Sequence, residues 1–356
     1  MPLKLWERYF LRELAKVFFL FIFGFYFLYI LIDYTSRTGS LLSNSAGFTE
    51  LTVYYGLTFL KRVDLLVPFA LLVGTIRALV SFNFHNELVA LLSGGIPLKR
   101  LLRPFLAAGI ACAILLYCNF QWLAPLAWSK VQQIEDRHSS METSTAGHAI
   151  QDVSLNDGSL ILCQSYDSAR NFFFDAYWIR SIDDIWRIKY LHLDTEAAVG
   201  KYVDHLARNE EGEFQLVESF ETKVLQEIQF DEENLQAALR NPEELSLAQL
   251  WQRRPTHDRE YTDKEAGILA RFYSHLAMPL LCILAVIAPA PFCIRFSRQI
   301  PVLFIYILSI MGIVSFYLVA DATLVIARAQ VLPPALAIFT PYALYFWLFG
   351  RRYIRL

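Results

Sequence analysis

Charge is scarce in this chain. Only 19% of its residues are charged, below the ~25% usual for soluble domains, and a net charge of -2 leaves no bulk basic field for nucleic acid. Cysteine is sparse as well. Of the five, Cys112, Cys118, Cys282 and Cys293 lie in apolar stretches and only Cys163 in a polar one, so no disulfide scaffold is expected. The motifs that carry chemistry are missing too. Gly94-Gly95 ahead of Lys99 has the wrong spacing for a phosphate loop, and neither an H-E-x-x-H zinc motif nor a G-x-S-x-G elbow occurs. The histidines at 85, 138, 148, 192, 205, 257 and 275 fall at no metal-ligand spacing, and His192 and His205 read as ordinary polar positions. These gaps predict a chain without a catalytic site, metal or cofactor of its own.

Apolar sequence is what the chain has in quantity: 55% hydrophobic and 15% aromatic. A helix needs roughly 20 apolar residues to cross a ~30 Å hydrocarbon core. Runs free of charge mark four crossings, at 104–129, 272–294, 299–320 and 329–350. A fifth, 17–32, comes first in the chain; Leu14 and Ala15 extend it, and Lys16 can snorkel to the interface. It is aromatic-rich and no small-residue cleavage site follows, which argues against a signal peptide. The weakest run, 65–76, lies between Asp64 and Arg77 and becomes a crossing only when extended through Phe82; a re-entrant segment is the alternative. Lys and Arg mark the cytoplasmic side of short loops. Lys4, Arg8, Arg12 and Lys16, then Arg77, Lys99, Arg100 and Arg103, then Arg295 and Arg298, then Arg351, Arg352 and Arg355 form four clusters. Six spans put all four on one side; five would not. The expectation is therefore a membrane α plus β protein with six transmembrane helices in a 3+3 arrangement. Both termini are cytoplasmic, and transmembrane helices 1–3 fall in 1–129 and 4–6 in 265–356.

The segment between, 130–264, then faces the periplasm or its equivalent. It is polar and strand-like, with runs at 159–162 after Asn156-Asp157-Gly158, at 172–179, at 186–193, and at 214–220 after Glu211-Gly212. Short strands with turns between them point to a sandwich or β-jelly-roll. Helices are expected at 232–240 and, opened by a Ser246 cap, at 246–253.

Three stretches carry a family resemblance. Asn86-Glu87-Leu88-Val89-Ala90-Leu91-Leu92-Ser93-Gly94-Gly95-Ile96, followed by Lys99-Arg100-Leu101-Leu102-Arg103-Pro104, is the first. Ala277-Met278-Pro279-Leu280-Leu281-Cys282 with Pro289-Ala290-Pro291 and Arg295 is the second, and Val331-Leu332-Pro333-Pro334 through Pro341 the third. In this order and spacing they resemble the lipopolysaccharide-export permeases of the LptF/LptG type. ELVALLSGGI and the LIDY that closes the first span lean towards LptG. The resemblance implies a permease subunit of an ABC exporter in the bacterial inner membrane. Its expected partners are an LptB-type ATPase dimer, a second LptF/LptG-type permease and an LptC-type bitopic protein, with lipopolysaccharide passed on to a periplasmic bridge. ATP hydrolysis on a separate chain then accounts for the missing nucleotide motifs.

Site residues follow from the same resemblance. It implies a cytoplasmic coupling helix at about 84–96, where Glu87 meets the ATPase and Leu88, Leu91 and Leu92 share one face; the plainer reading is a solvated charge on an interfacial helix. Gly94-Gly95 would end that helix by a left-handed cap. Arg37, Lys61, Arg62, Arg271 and Arg328 fall near the periplasmic ends of spans, where topology does not call for positive charge. Each alone reads as a snorkelling anchor; together they could hold the phosphates of an anionic glycolipid. His275 departs from the Arg or Lys the family more often places there. Asp64 and Asp321 read most simply as partners of Arg62 and Arg328. Two competing functions remain. A membrane-bound lipid-modifying enzyme would need a catalytic cluster, and none is found. A lipoprotein-release type ABC permease would carry its large domain after the first span rather than the third.

Overall fold

Two compact units make up the chain, one formed by Met1–Glu142 with Pro242–Leu356 and the other by Thr143–Asn241. The computed structural model describes residues 4–36, 48–139, 151–154, 159–167, 172–181, 183–193, 198–208, 213–225, 228, 245–255, 261, 263–294 and 302–355. The expected helix at 232–240 lies outside them.

The first unit is helical. Helix α1 spans Leu5–Ser36 and α2 spans Phe48–Phe84. The short helices α3, Glu87–Ser93, and α4, Leu98–Leu101, lead into α5, Arg103–Cys118. A π turn, Asn119–Leu123, joins α5 to α6, Ala124–Ser139. After the β unit come α7, Leu247–Gln252, α8, Asp263–Ala277, α9, Leu280–Ile287, and α10, Ala290–Ile294. Helices α11, Val302–Arg328, and α12, Pro334–Ile354, complete the unit.

Among the described residues four stretches are long and apolar enough to cross a membrane: Leu5–Ser36, Thr49–Phe84, Leu98–Val131 and Val302–Arg328. A fifth is counted only if Glu265–Ala277 and Leu280–Ile294, bent by 41°, form one span. The expected straight helix at 272–294 is thus broken. Pro279 caps α9 and Pro289 precedes α10, and proline can neither donate to the preceding turn nor fit within it. The sixth expected span, now α12, has the length, but Pro341, its tyrosines and the terminal Arg351 and Arg352 dilute its hydropathy. Four or five apolar helices among the described residues thus fit a membrane permease, and the expected 3+3 count of six is not confirmed.

The weakest run by hydropathy becomes the centre of the unit. Helix α2 is continuous over 37 residues despite Pro68, which favours a crossing over a re-entrant segment. Of its most apolar window 67% is buried within the chain, against 6% for α1. Close approach requires glycine at two places. A Cβ on Gly109 would lie 3.2 Å from the Cys282 carbonyl oxygen of α9, and one on Gly74 would lie 3.0 Å from Leu14 of α1.

The second unit is one antiparallel six-stranded sheet in the order β1 to β6. Its strands are Gln151–Ser154, Leu160–Asp167, Phe172–Ser181, Asp184–Leu193, Ala198–Arg208 and Phe214–Leu225. Each described strand pairs with its sequence neighbour, a meander, so the expected jelly-roll is not confirmed. One face is apolar and closed: Ile161, Cys163, Phe173, Ala176, Trp178, Ile188, Leu191 and Val203 are buried there. Trp178 Nε1 donates to Ser159 Oγ at 2.9 Å, so the largest core side chain is satisfied.

Strict alternation fails once in the middle strands. The buried positions step from Phe173 to Ala176, from Ile188 to Leu191, and from Gly200 to Val203. Asp175 at φ 48° and Tyr202 at φ 52° sit in that interval, in the left-handed region that costs a non-glycine residue about 1–2 kcal/mol. The registers place both beside Lys189, so the kinks line up across the sheet. The β unit is also narrower than the expected 130–264. Helix α6 continues through Ser139, and α7 belongs to the helical unit. Helix α7 opens with the expected Ser246 cap, as a full capping box with Gln249.

Candidate cavity and coupling helix

Five helices and the π turn line a polar cavity of the helical unit, of about 320 Å³. From α2 come Lys61, Arg62, Asp64 and Leu65, one turn of helix. Helix α8 presents Arg271, Ser274 and His275, with Met278 just past its end, and α11 presents Tyr317, Ala320, Asp321 and Leu324. Both sets follow the i, i+3, i+4, i+7 spacing that puts residues on one helical face. Trp128 of α6 lies 3.5 Å below the Lys61 ammonium, which fixes that side chain by cation–π attraction. Tyr29 of α1 stands 5.8 Å from the Arg62 guanidinium.

The π turn shapes one wall. A π turn widens the helix and commonly marks functional positions. Asn119 is 2% exposed, and its Nδ2 donates to the Leu60 carbonyl at 3.1 Å. Its Oδ1 is buried without a donor, a state that costs about 1–3 kcal/mol. Gln121 accepts the Ala248 amide at 3.1 Å and so ties α7 to the turn. Phe120 stacks on His275 with ring centres 4.4 Å apart, and His275 Nδ1 is likewise buried without a partner.

The two carboxylates behave differently from the expectation. Asp64 accepts the amide of Leu65 at 2.9 Å, and its backbone carbonyl accepts the Tyr317 hydroxyl at 3.2 Å. Among the described residues neither Asp64 nor Asp321 forms an ion pair, so the proposed pairings with Arg62 and Arg328 are not made. Both carboxylates instead line the cavity. Of the five expected cations, Lys61, Arg62 and Arg271 meet there; Arg328 does not line it, and Arg37 lies outside the described residues. Sequence reasoning missed Asn119, Trp128 and Tyr317. The helical spacing of 317, 320, 321 and 324 on an apolar run was the available signal for the last.

A second cavity, about 350 Å³, is apolar and lies between α1 and α2, lined by Val17, Leu20, Phe21, Gly24, Phe25, Leu28 and Val73. The aromatic run of α1 is otherwise outward-facing, with Phe19, Phe23 and Phe27 each more than half exposed.

Helix α3 sits at the link between α2 and α5. Leu88 is buried and Leu91 packs partly against the core, whereas Leu92 turns outward with Val89. The expected single face of Leu88, Leu91 and Leu92 is therefore divided. Glu87 Oε1 accepts the Tyr9 hydroxyl at 3.3 Å, which links α3 to α1. The cap forms as expected, at Gly95 with φ 79°. Gly95 N–H donates to Leu92 and Ile96 N–H to Leu91, the paired bonds of a Schellman motif.

A family model described as lipopolysaccharide export system permease LptF/LptG matches residues 8–355. No curated protein matches the chain.

Proposed function

The chain belongs to the LptF/LptG family of lipopolysaccharide export permeases and is a multi-pass inner-membrane protein; from that premise we propose that it is the non-catalytic permease subunit of an ABC exporter that draws lipopolysaccharide from the inner membrane. The observation that carries this reading is the convergence of Lys61, Arg62 and Arg271 on one cavity of the helical bundle. Guanidinium groups match phosphate oxygens in pairs. Ligand pockets run from about 300 to 1,000 Å³, so this cavity suits part of a phosphorylated headgroup. Acyl chains then lie on apolar helix surfaces such as the groove beside Gly24.

Each methylene withdrawn from a bilayer costs about 0.8 kcal/mol, so several acyl chains need an external source of energy. An LptB-type ATPase dimer supplies it through α3, with a second LptF/LptG-type permease and an LptC-type protein completing the complex. In this reading both termini and α3 are cytoplasmic, and the β unit is periplasmic and hands the lipid to a bridge. Glu87 at the start of α3 and the exposed Val89 and Leu92 form the coupling joint. Co-purification in detergent tests it. Wild type is expected to retain an LptB-type ATPase and Glu87→Arg to lose it; a wild type that retains none contradicts the proposal.

A further inference from the structure

Helix α3 is set off from its neighbours by a left-handed residue at each end. Asn86 enters it at φ 57° and Gly95 leaves it at φ 79°. The turn at Asn86 makes α3 a separate helix rather than a continuation of α2. Leu88, 3% exposed, roots it in the core. Among the described residues one polar side-chain bond runs from α3 to another helix: the Tyr9 hydroxyl of α1 donates to Glu87 Oε1 at 3.3 Å. That bond occupies one carboxylate oxygen and leaves Oε2 without a partner among the described residues. Tyr9 is itself held. Its ring lies 5.6 Å from that of Phe82 on α2, and the adjacent Phe10 stacks on Phe82 at 4.2 Å and adjoins Phe105 of α5 at 6.0 Å. Phe10, Phe82 and Phe105 are each at most 2% exposed. Packing thus keys the start of α1 to the end of α2 and the start of α5, and a hydrogen bond ties it to α3. Beyond these turns α1 is the least enclosed of the four apolar stretches, with 6% of its most apolar window buried.

We propose that Tyr9 is a positioning residue of the coupling joint: its hydroxyl fixes one oxygen of Glu87 and carries the displacement of α3 into α1, while the other oxygen is left for a cationic side chain of the ATPase. The inference rests on α3 being the coupling joint of the permease. Coupling between distant sites runs through packed side chains and hydrogen bonds that shift together. Glu87 then has two separable jobs. Its charge docks the ATPase, and its bond to Tyr9 passes the motion to the helix that borders the apolar groove at Phe21, Gly24 and Phe25. A packing role alone would be met as well by phenylalanine, which keeps the ring contacts to Phe10 and Phe82. The hydroxyl is what distinguishes the two.

The test uses the full chain with its co-purifying subunits in proteoliposomes that contain lipopolysaccharide. It counts the lipid passed to an added periplasmic bridge protein for each ATP hydrolysed. Tyr9→Phe is expected to retain the ATPase and hydrolyse ATP at the wild-type rate. It should nevertheless pass on about fivefold less lipid per ATP, the lower end of what a coupling contact carries. Glu87→Gln keeps an acceptor for Tyr9 but removes the charge. It should retain less ATPase, with lipid per ATP unchanged for the complexes that remain. If Tyr9→Phe passes on as much lipid per ATP as wild type, the hydroxyl transmits nothing, and the inference is wrong while the coupling joint stands. If Tyr9→Phe sheds the ATPase, Tyr9 acts on docking and not on transmission, and the inference is again wrong. If wild type retains no ATPase, α3 is not the coupling joint, and the inference falls with that reading.

Discussion

On α1, Phe19, Leu20, Phe23 and Phe27 are each more than half exposed, whereas in the β unit Ile161, Phe173, Ala176, Ile188 and Leu191 are fully enclosed. The same residue types thus face outward in one unit and inward in the other. The difference lies in the solvent each unit is built for. Lipid tails are as apolar as a leucine side chain, so a spanning helix gains little by hiding its apolar surface from them and relies on packing. A water-facing sheet gains roughly 25 cal/mol for each Å² of apolar surface it encloses. Exposed apolar surface on α1 therefore carries no penalty in the membrane, and the enclosed face of the β unit carries most of that unit's stability.

Matched substitutions can break this comparison. The largest effect belongs to the β core. Phe173→Ala should destabilise the β unit by about 3–5 kcal/mol, read as lost hydrogen-exchange protection in β2–β4. Phe23→Ala on α1 should stay within about 0.5 kcal/mol. An equal loss at Phe23 would mean that another chain covers it. Next come two glycines. A Cβ on Gly200 would lie 2.7 Å from Val203 and 3.1 Å from Ile188, so Gly200→Ala should cost about 1–3 kcal/mol. Nothing lies within 4 Å of the corresponding position on Gly24, and Gly24→Ala should be neutral or slightly stabilising, by up to ~1 kcal/mol; thermal unfolding of the purified chain compares the two. A smaller and more local change is expected at Ser246→Ala. Loss of the capping box should cost about 1 kcal/mol and speed amide exchange at Gln249 without affecting the β unit. The smallest is Arg187→Gln, which removes a half-exposed ion pair with Asp175 at 3.2 Å; under ~1 kcal/mol is expected, measured by urea titration.

Much of this contrast is legible in the sequence, because apolar run length and alternation are set by simple periods. The run at 17–32, that at 104–129 and the described part of that at 299–320, from 302 on, fall in helices, and the Ser246 and Gly95 caps follow from local chemistry. The strands at Leu160–Asp167 and Phe172–Ser181 were readable for the same reason. Strand Ala198–Arg208 was not, since the kink at Tyr202 breaks its alternation and Gly200 removes a side chain from the pattern. The bend near Pro279 was written in the prolines, but hydropathy averages across it. At the site, charge placement alone selected five cations, and of the four among the described residues only packing could show that three meet. The π turn that orients Asn119 has no marker in the residue types, because its hydrogen bonds differ from those of an α-helix by one residue of register.

The most direct test of the account is photocrosslinking in growing cells from a photoreactive residue at Ser274, which lines the cavity, with Leu308, an exposed position on α11, as the control. The account predicts a lipopolysaccharide adduct at Ser274 that disappears when ATP hydrolysis by the partner ATPase is blocked, and none at Leu308. Adducts at Leu308 but not at Ser274 would contradict it, because the lipid would then travel past the cavity and leave Lys61, Arg62 and Arg271 without a role in its capture.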